Sequence, residues 1–420
     1  MSDVKPSAAL LDHVETLLAE LLRFDRAADQ AVSEYFRAHR TLGQRDRAFV
    51  AETAYAVLRR RRTLEAAAGT SAPRSLAIAA LALVHGLSGR ALEGVLTEAE
   101  RALVTRVRAA QLDGLAPAVR AEWPDWLWER LAAAHGAEQA MKIARGCLNA
   151  APLDLRVNLA RIAREEALAQ LASRGFGGTP TPYAPSGIRL AGRPQINRDP
   201  LFEQGLVEVQ DEGSQLLAYL LGPRRGEMVA DFCAGAGGKS LALAMLMRGA
   251  GRVYAIDISA KRLSALAPRA ARAGVSNIHP LAVASENDVR AKRLARKIDR
   301  VLVDAPCSGF GTLRRNPDLK WRYGPDRIEA LGEQQFRILD AASGLVKPGG
   351  RLVYATCSLL AAENEAVADR FAAAHPEFAA LSCGDLLAAQ RIPIESAERL
   401  RLWPHEHGTD GFFAAAFERR

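Results

Sequence analysis

Leu10, Leu11, Val14, Leu17, Leu18, Leu21 and Leu22 recur at the spacing of one helical face, and alanine-rich patterns of the same period run through 50–64, 75–86 and 99–112. No alternation of period two interrupts them, so residues 1–145 read as an all-α bundle. Pro124 suits the first turn of a further helix, whose Trp126, Leu127, Arg130 and Leu131 give it a broad apolar face. The pattern then changes. Residues 152–158 read as a strand, 164–173 as a helix and 176–194 as Gly/Pro-rich turns with short strands, which makes 146–222 a small α+β connector. From 223 to 420 short apolar runs alternate with helices. Strands are expected from 228, at 252–256, 278–283 and 301–303, and in the run leading to Cys357; helices are expected to about 247, at 259–272, 326–346 and 361–374, with a closing pair at 400–403 and 411–417. Such alternation argues for a mostly parallel α/β sheet, and the short final connection makes its last strand antiparallel.

Composition narrows the class. At 420 residues with 49% hydrophobic and 25% charged positions, the chain has the balance of a globular protein rather than a disordered one. Its most apolar run, 75–84, is too short to span a bilayer, and Asp12, Glu15 and Glu20 interrupt the first apolar pattern as they would not in a signal peptide, so a cytoplasmic protein without a membrane partner is expected. The net charge of +8 favours a polyanionic partner. Cysteines at 147, 233, 307, 357 and 383 form no Cys-x-x-Cys pair and are odd in number, so no zinc site or disulfide framework is expected and a reducing compartment fits. His405 and His407 lack a third ligand at metal spacing and read as turn residues.

The chemistry gathers at strand ends. Val301 to Val303 is followed by Asp304-Ala-Pro-Cys307-Ser-Gly, and Leu352-Val-Tyr-Ala is followed by Thr356-Cys357-Ser. If these strands are neighbours in one parallel sheet, both thiols and the Asp304 carboxylate meet at one crevice, where open α/β sheets place their ligands; a thiol there can be activated as a nucleophile. Between the first expected strand and its helix lies Cys233-Ala234-Gly235-Ala236-Gly237-Gly238-Lys239. Ser240 breaks the dinucleotide fingerprint and Cys233 breaks the P-loop pattern, so the loop suits a ligand without a pyrophosphate pressed against the backbone. Asp257 ends the second strand, placed to bind ribose hydroxyls or to cap the helix that follows.

Asp304-Ala-Pro-Cys307-Ser-Gly with Thr356-Cys357-Ser resembles the paired cysteine motifs of the RNA cytosine-5 methyltransferase family that includes the bacterial Sun/Fmu-type 16S rRNA enzymes. The glycine loop is similar to that family's S-adenosylmethionine loop, with Ala236 where many members have proline. Arg45-Asp-Arg-Ala-Phe49, ahead of a helix ending in Arg59 to Arg62, resembles the NusB-like RNA-binding domain that often precedes such catalytic domains; the arginine run itself reads as a solvated helix end or an RNA contact. Leu155-Arg-Val-Asn158 and Val209-Gln-Asp-Glu-Gly-Ser-Gln215 resemble the start of the connector and the helix entry before the catalytic fold.

The resemblance implies a NusB-like helical domain at 1–145, a connector at 146–222 and a Rossmann-like methyltransferase domain at 223–420. It implies methylation of cytosine carbon 5 in RNA, with Cys357 as nucleophile, Cys307 assisting proton removal and release, and Asp304 hydrogen-bonding the activated ring. Residues 233–239, Asp257 and Asp304 would hold the cofactor, together with an acidic group near the adenine for which Glu286 is chosen over Asn287 and Asp288. Arg314, Arg315, Lys320 and Arg322 are expected to hold RNA phosphates, whereas the six basic residues of 290–300 read as a solvated helix face. The partner would be small-subunit rRNA, bound by a monomer at single-stranded or loop sites. Two alternatives stand beside this reading: a DNA cytosine-5 methyltransferase using Cys307 as nucleophile, and a non-catalytic RNA-binding factor.

Overall fold

A computed structural model describes residues 6–420, which divide into two compact units. One comprises the chain up to Ala150 together with Thr312–Pro325; the other comprises Ala151–Gly311 and Asp326–Arg420. Among the described residues no helix is long and apolar enough to cross a membrane.

The first unit is helical. Its main helices are Ala8–Leu21, Ala28–Ala38, Gln44–Ala68, Pro73–Leu83, Glu98–Ala109, Asp125–His135 and Ala137–Leu148. Ser7 accepts from Leu10 N to start the first, and Thr97 and Glu100 form a capping box on the fifth. The leucine face of the first helix packs with Phe49, Val57 and Leu76 in a common core, which is why the period-3.6 reading located these elements. The long helix breaks at Arg60 (φ −113°, ψ 23°), and the buried Glu122 takes the two amides this frees for new partners: its Oε2 accepts from Arg62 N at 2.9 Å and Thr63 N at 3.4 Å.

Two expectations fail here. Thr312–Pro325 is wound into this unit: Asp318 accepts from Ala28 N, Trp321 Nε1 donates to Leu58 O, and Lys320 Nζ donates to Arg59 O at 3.0 Å. Lys320 is therefore only 2% exposed and Arg314 4%, so neither stands on a surface where it could hold a phosphate; Arg315 and Arg322 remain partly exposed. Nor is 59–62 a solvated basic end. Arg59 Nη2 donates to Arg314 O, Arg61 pairs with Glu65 and lies over Phe24 and Trp321, and Arg62 bonds Trp123 O and Asp125.

In the second unit, β1 (Leu153–Val157), β2 (Gly178–Pro180), β3 (Gly187–Leu190) and β4 (Val207–Val209) form an antiparallel sheet in the order β2-β3-β1-β4. This connector belongs to the same compact unit as the larger sheet rather than standing apart. The larger sheet contains β5 (Met228–Phe232), β6 (Arg252–Asp257), β7 (Ile278–Ala282), β8 (Ile298–Asp304), β9 (Val346–Thr356), β10 (Phe378–Leu381), β11 (Leu400–Leu402) and β12 (Phe412–Arg419), in the order β10-β12-β9-β8-β5-β6-β7 with β11 on β12. Strands β5 to β9 run parallel and β12 antiparallel to β9. The antiparallel β10 escaped the sequence pattern, because four residues give periodicity little to act on.

Alternate residues of the central strands enter different cores: Val229, Leu302 and Val353 one, Ala230, Val301, Val303 and Leu352 another. Burial on both faces explains the unbroken apolar runs. The 290–300 stretch is not one helix. Helix Val289–Lys292 is a single turn, and Arg300 is buried in β8 with its Nε 2.7 Å from Glu227 and its Nη1 on Leu221 O.

Candidate active site

Because β5, β6, β8 and β9 are parallel, their carboxyl ends open at one edge. There a cavity of about 310 Å³ is lined by Cys233, Asp257, Glu286, Asp304, Cys307 and Cys357, among others. Residues from five separate segments of the sequence thus meet in one place.

The loop after β5 is bent by left-handed conformations at Cys233 (φ 93°), Gly235 (φ 56°) and Gly237 (φ 83°). A side chain at Gly237 would put its Cβ 2.2 Å from Leu266 Cδ1, so only glycine lets the loop lie this close to the helix Leu266–Ala273. Cys233 has no such freedom; its strained backbone is held because Cys233 N and Ala234 N both donate to Ile256 O at 2.9 Å. Of residues 233–239 only Cys233 lines the cavity. Asp257 is nearly buried, and its two oxygens accept from Gly235 N and Ser259 N, each at 2.7 Å, fastening the glycine loop to the end of β6. Ser259, not Asp257, caps the helix that follows. Of residues 286–288 only Glu286 lines the cavity, with Arg337 Nε 3.5 Å from its Oε1, while Asp288 turns away to accept from Ala284 N and Arg290.

Lys239 leaves the loop toward β8. Its Nζ stands 2.6 Å from Asp304 Oδ2 with the lysine side chain only 13% exposed. Burial opposes its charge, but Asp304, then Asp231 and Cys357, outweigh burial and raise its pKa above the ordinary lysine value. Asp231, fully buried below the loop and hydrogen-bonded by Ser240 Oγ, is pushed up to about 6 by burial.

The two thiols lie 3.4 Å apart, Sγ to Sγ. The hydrogen bond with Cys357 comes first in raising the Cys307 pKa, followed by burial and the negative charges of Glu363 and Asp304. Cys233 is pushed up as well, by burial and then by Asp304. The arrangement brings two thiols into contact at one cavity with a carboxylate that accepts a hydrogen bond from a lysine ammonium, the groups that nucleophilic and acid–base chemistry require.

Behind the thiols is a group the sequence reading missed. Glu363 is buried and touches both residues that follow the cysteines, Ser308 and Ser358. The repeated Cys-Ser pair was the available signal, since two hydroxyls side by side need a shared acceptor; nothing local marked Glu363 as that acceptor.

Residues 218–418 match the 16S rRNA methyltransferase RsmB/F family, and residues 123–197 match the ferredoxin-like domain of the RsmF/B-like methyltransferases. The chain is 36% identical to the probable ribosomal RNA small subunit methyltransferase B of Bacillus subtilis over 81% of this chain and 76% of that protein. It is 31% identical to the probable ribosomal RNA small subunit methyltransferase B of Synechocystis over 96% and 98%. Among solved structures it is similar to a methyltransferase homologue from Pyrococcus horikoshii, with 31% identity and a TM-score of 0.62 over 72% of this chain and 98% of that one.

Proposed function

The chain belongs to the RsmB/F family of 16S rRNA methyltransferases, and on that premise we propose that it methylates carbon 5 of a cytosine in small-subunit rRNA through a covalent Cys357–cytosine intermediate. The observation that carries this reading is the pair of thiols 3.4 Å apart at the ends of adjacent parallel strands, facing one cavity with Asp304.

The residues present fit S-adenosylmethionine. Asp257 keeps acceptor capacity for ribose hydroxyls beyond its two amide bonds, and Glu286 and Cys233, at the start of the loop 233–239, line the same cavity. Those residues would hold the cofactor, which supplies an electrophilic methyl group when bound. Carbon 5 of cytosine is too weak a nucleophile to accept a methyl group unaided. Cys357 as thiolate adds to carbon 6 and makes carbon 5 enamine-like. Asp304 hydrogen-bonds the ring, and the Lys239 ammonium paired to it at 2.6 Å offsets the negative charge that develops there. Once carbon 5 carries the methyl group, Cys307, in contact with Cys357, helps pass the carbon 5 proton to solvent, and the electron pair left behind re-forms the carbon 5–carbon 6 double bond and expels Cys357 as thiolate, releasing the product.

We further assign the helical unit as NusB-like and RNA-binding, with Arg315 and Arg322 retained as phosphate contacts and Arg314 and Lys320 withdrawn because they are buried. The enzyme acts as a cytoplasmic monomer on unpaired RNA, since the target base has to leave its stack to reach the cavity.

Mutants of the two thiols, incubated with labelled rRNA and cofactor, test the mechanism. Cys307→Ala is expected to leave a protein–RNA adduct that survives denaturing electrophoresis, and Cys357→Ala and the double mutant to leave none. An adduct in Cys357→Ala, or one formed with DNA through Cys307, would overturn the assignment.

A further inference from the structure

Two turns follow the catalytic strands, and one buried side chain holds both. Glu363 is fully buried. Its Oε1 accepts from Ser308 N at 2.8 Å and Gln335 Nε2 at 3.0 Å; its Oε2 accepts from Ser308 Oγ at 2.5 Å and from Ser358 Oγ. Gln335 also donates to Pro306 O, one residue before Cys307, and Tyr354 OH donates to Glu363 O. The residues on either side of Cys307 and the residue after Cys357 are thus tied to one carboxyl group.

Four donors and, among the described residues, no cation meet these two oxygens, the donor set that suits a carboxylate. Burying a carboxylate without a cationic partner is a costly way to join two turns, and an amide could accept several of the same bonds at less desolvation cost. The charge itself therefore calls for a use, and the nearest titratable groups are the thiols.

We propose that Glu363 is a positioning residue of the two-thiol centre: through Ser308 and Ser358 it fixes the Cys307 turn against the Cys357 turn at contact distance, and it places a negative charge behind Cys307. Cys307 is faced by Cys357 from the end of β9, by Asp304 from the end of β8 with Lys239 paired to it, by Tyr354 within β9, and by Glu363. Apart from burial, each group that raises the Cys307 pKa is an acid, and Glu363 is the one of them outside the cavity lining. It can therefore act on the thiol without occupying space the substrate needs.

The inference rests on the two-thiol mechanism above, and its test uses one readout that does not. In the full chain, Glu363→Gln keeps the shape and removes the charge. Iodoacetamide labelling across pH, followed by peptide mapping, should place Cys307 alkylation at lower pH in this variant than in the wild type. Turnover should fall about 100-fold, the scale of a small misplacement of reacting groups, while cofactor affinity by calorimetry stays unchanged. Glu363→Asp should recover part of the turnover. If Glu363→Gln does not fold, Ser308→Ala with Ser358→Ala loosens the same clamp and should lower turnover at unchanged cofactor affinity. Wild-type turnover with an unmoved Cys307 titration would overturn the proposal, as would parallel loss of cofactor binding and turnover with no titration shift, which is the mark of a purely structural role. Absence of any RNA adduct in Cys307→Ala with Glu363 intact would sink the two-thiol reading instead, and the labelling experiment, which needs neither RNA nor turnover, would still judge Glu363.

Discussion

Lys239, half-buried, and Lys320, buried, both attracted notice in the sequence, one in the glycine loop and one in a basic cluster, yet their surroundings set them to opposite tasks. Lys239 meets a carboxylate 2.6 Å away at the edge of the cavity, and its pKa is raised although burial opposes it. Lys320 reaches a backbone carbonyl inside the helical unit, and burial lowers it to about 8. An ion pair keeps a buried charge charged; a neutral acceptor leaves the desolvation cost largely unmet. A buried lysine therefore marks a reactive site only when its partner does.

The comparison would break most visibly at Lys239. Lys239→Met leaves Asp304 without its cation in a partly buried place, so single-turnover methyl transfer should slow about 100-fold or more while RNA affinity is kept. Lys320→Met should leave the same rate unchanged. Equal rates for the two variants would mean that the Lys239–Asp304 pair serves folding alone.

A smaller effect is expected at the fastening of the glycine loop. Asp257→Ala removes the acceptor of Gly235 N and Ser259 N together with the proposed ribose contact. Losing one charge-assisted hydrogen bond to the ligand should weaken cofactor binding by about 1.5–3 kcal/mol, measurable by calorimetry, with RNA binding little changed. Unaltered cofactor affinity in the folded variant would remove Asp257 from the cofactor site and leave it as a loop fastener.

What the sequence made legible follows the same line as the two lysines. The strand ends, the glycine loop and the paired cysteines were readable because each depends on local pattern: a run buried on both faces, a turn needing positive φ, a thiol after a strand. Glu363 was not, because its meaning lies in Ser308, 55 residues away. Arg300 read as one more residue of a basic helix because its partner Glu227, 73 residues away, is brought to it only by the parallel pairing of β5 and β8. Thr312–Pro325 misled for a third reason. Charge in a loop after a catalytic motif looks like substrate binding, and nothing in its composition announces that Asp318, Lys320 and Trp321 are bound to the helices near Ala28 and Leu58.

The smallest effect, and one confined to stability, is expected at Lys320. Its folded-state pKa of about 8 lies below the lysine value of 10.5, so the folded chain gives up this proton more readily than the unfolded chain. The associated stability is fully present above the unfolded value and is lost as pH falls through about 8. Glu122, raised by burial, acts in the opposite sense, losing its contribution as pH rises. Comparing wild type with Lys320→Met separates the lysine's share. Between pH 7 and pH 10.5 the wild type should gain on the variant by up to about 3 kcal/mol, the upper bound set by that shift, read as slower amide hydrogen exchange in the helix Gln44–Ala68, whose Arg59 carbonyl accepts from Lys320. The salt slope of RNA binding should not change, because a residue 2% exposed releases no counterions when RNA arrives. A slope shallower by about one in Lys320→Met would return this lysine to the RNA-binding surface, and a stability difference independent of pH would mean that the Arg59 carbonyl, with Glu122 beside it, holds the charge as firmly as Asp304 holds that of Lys239.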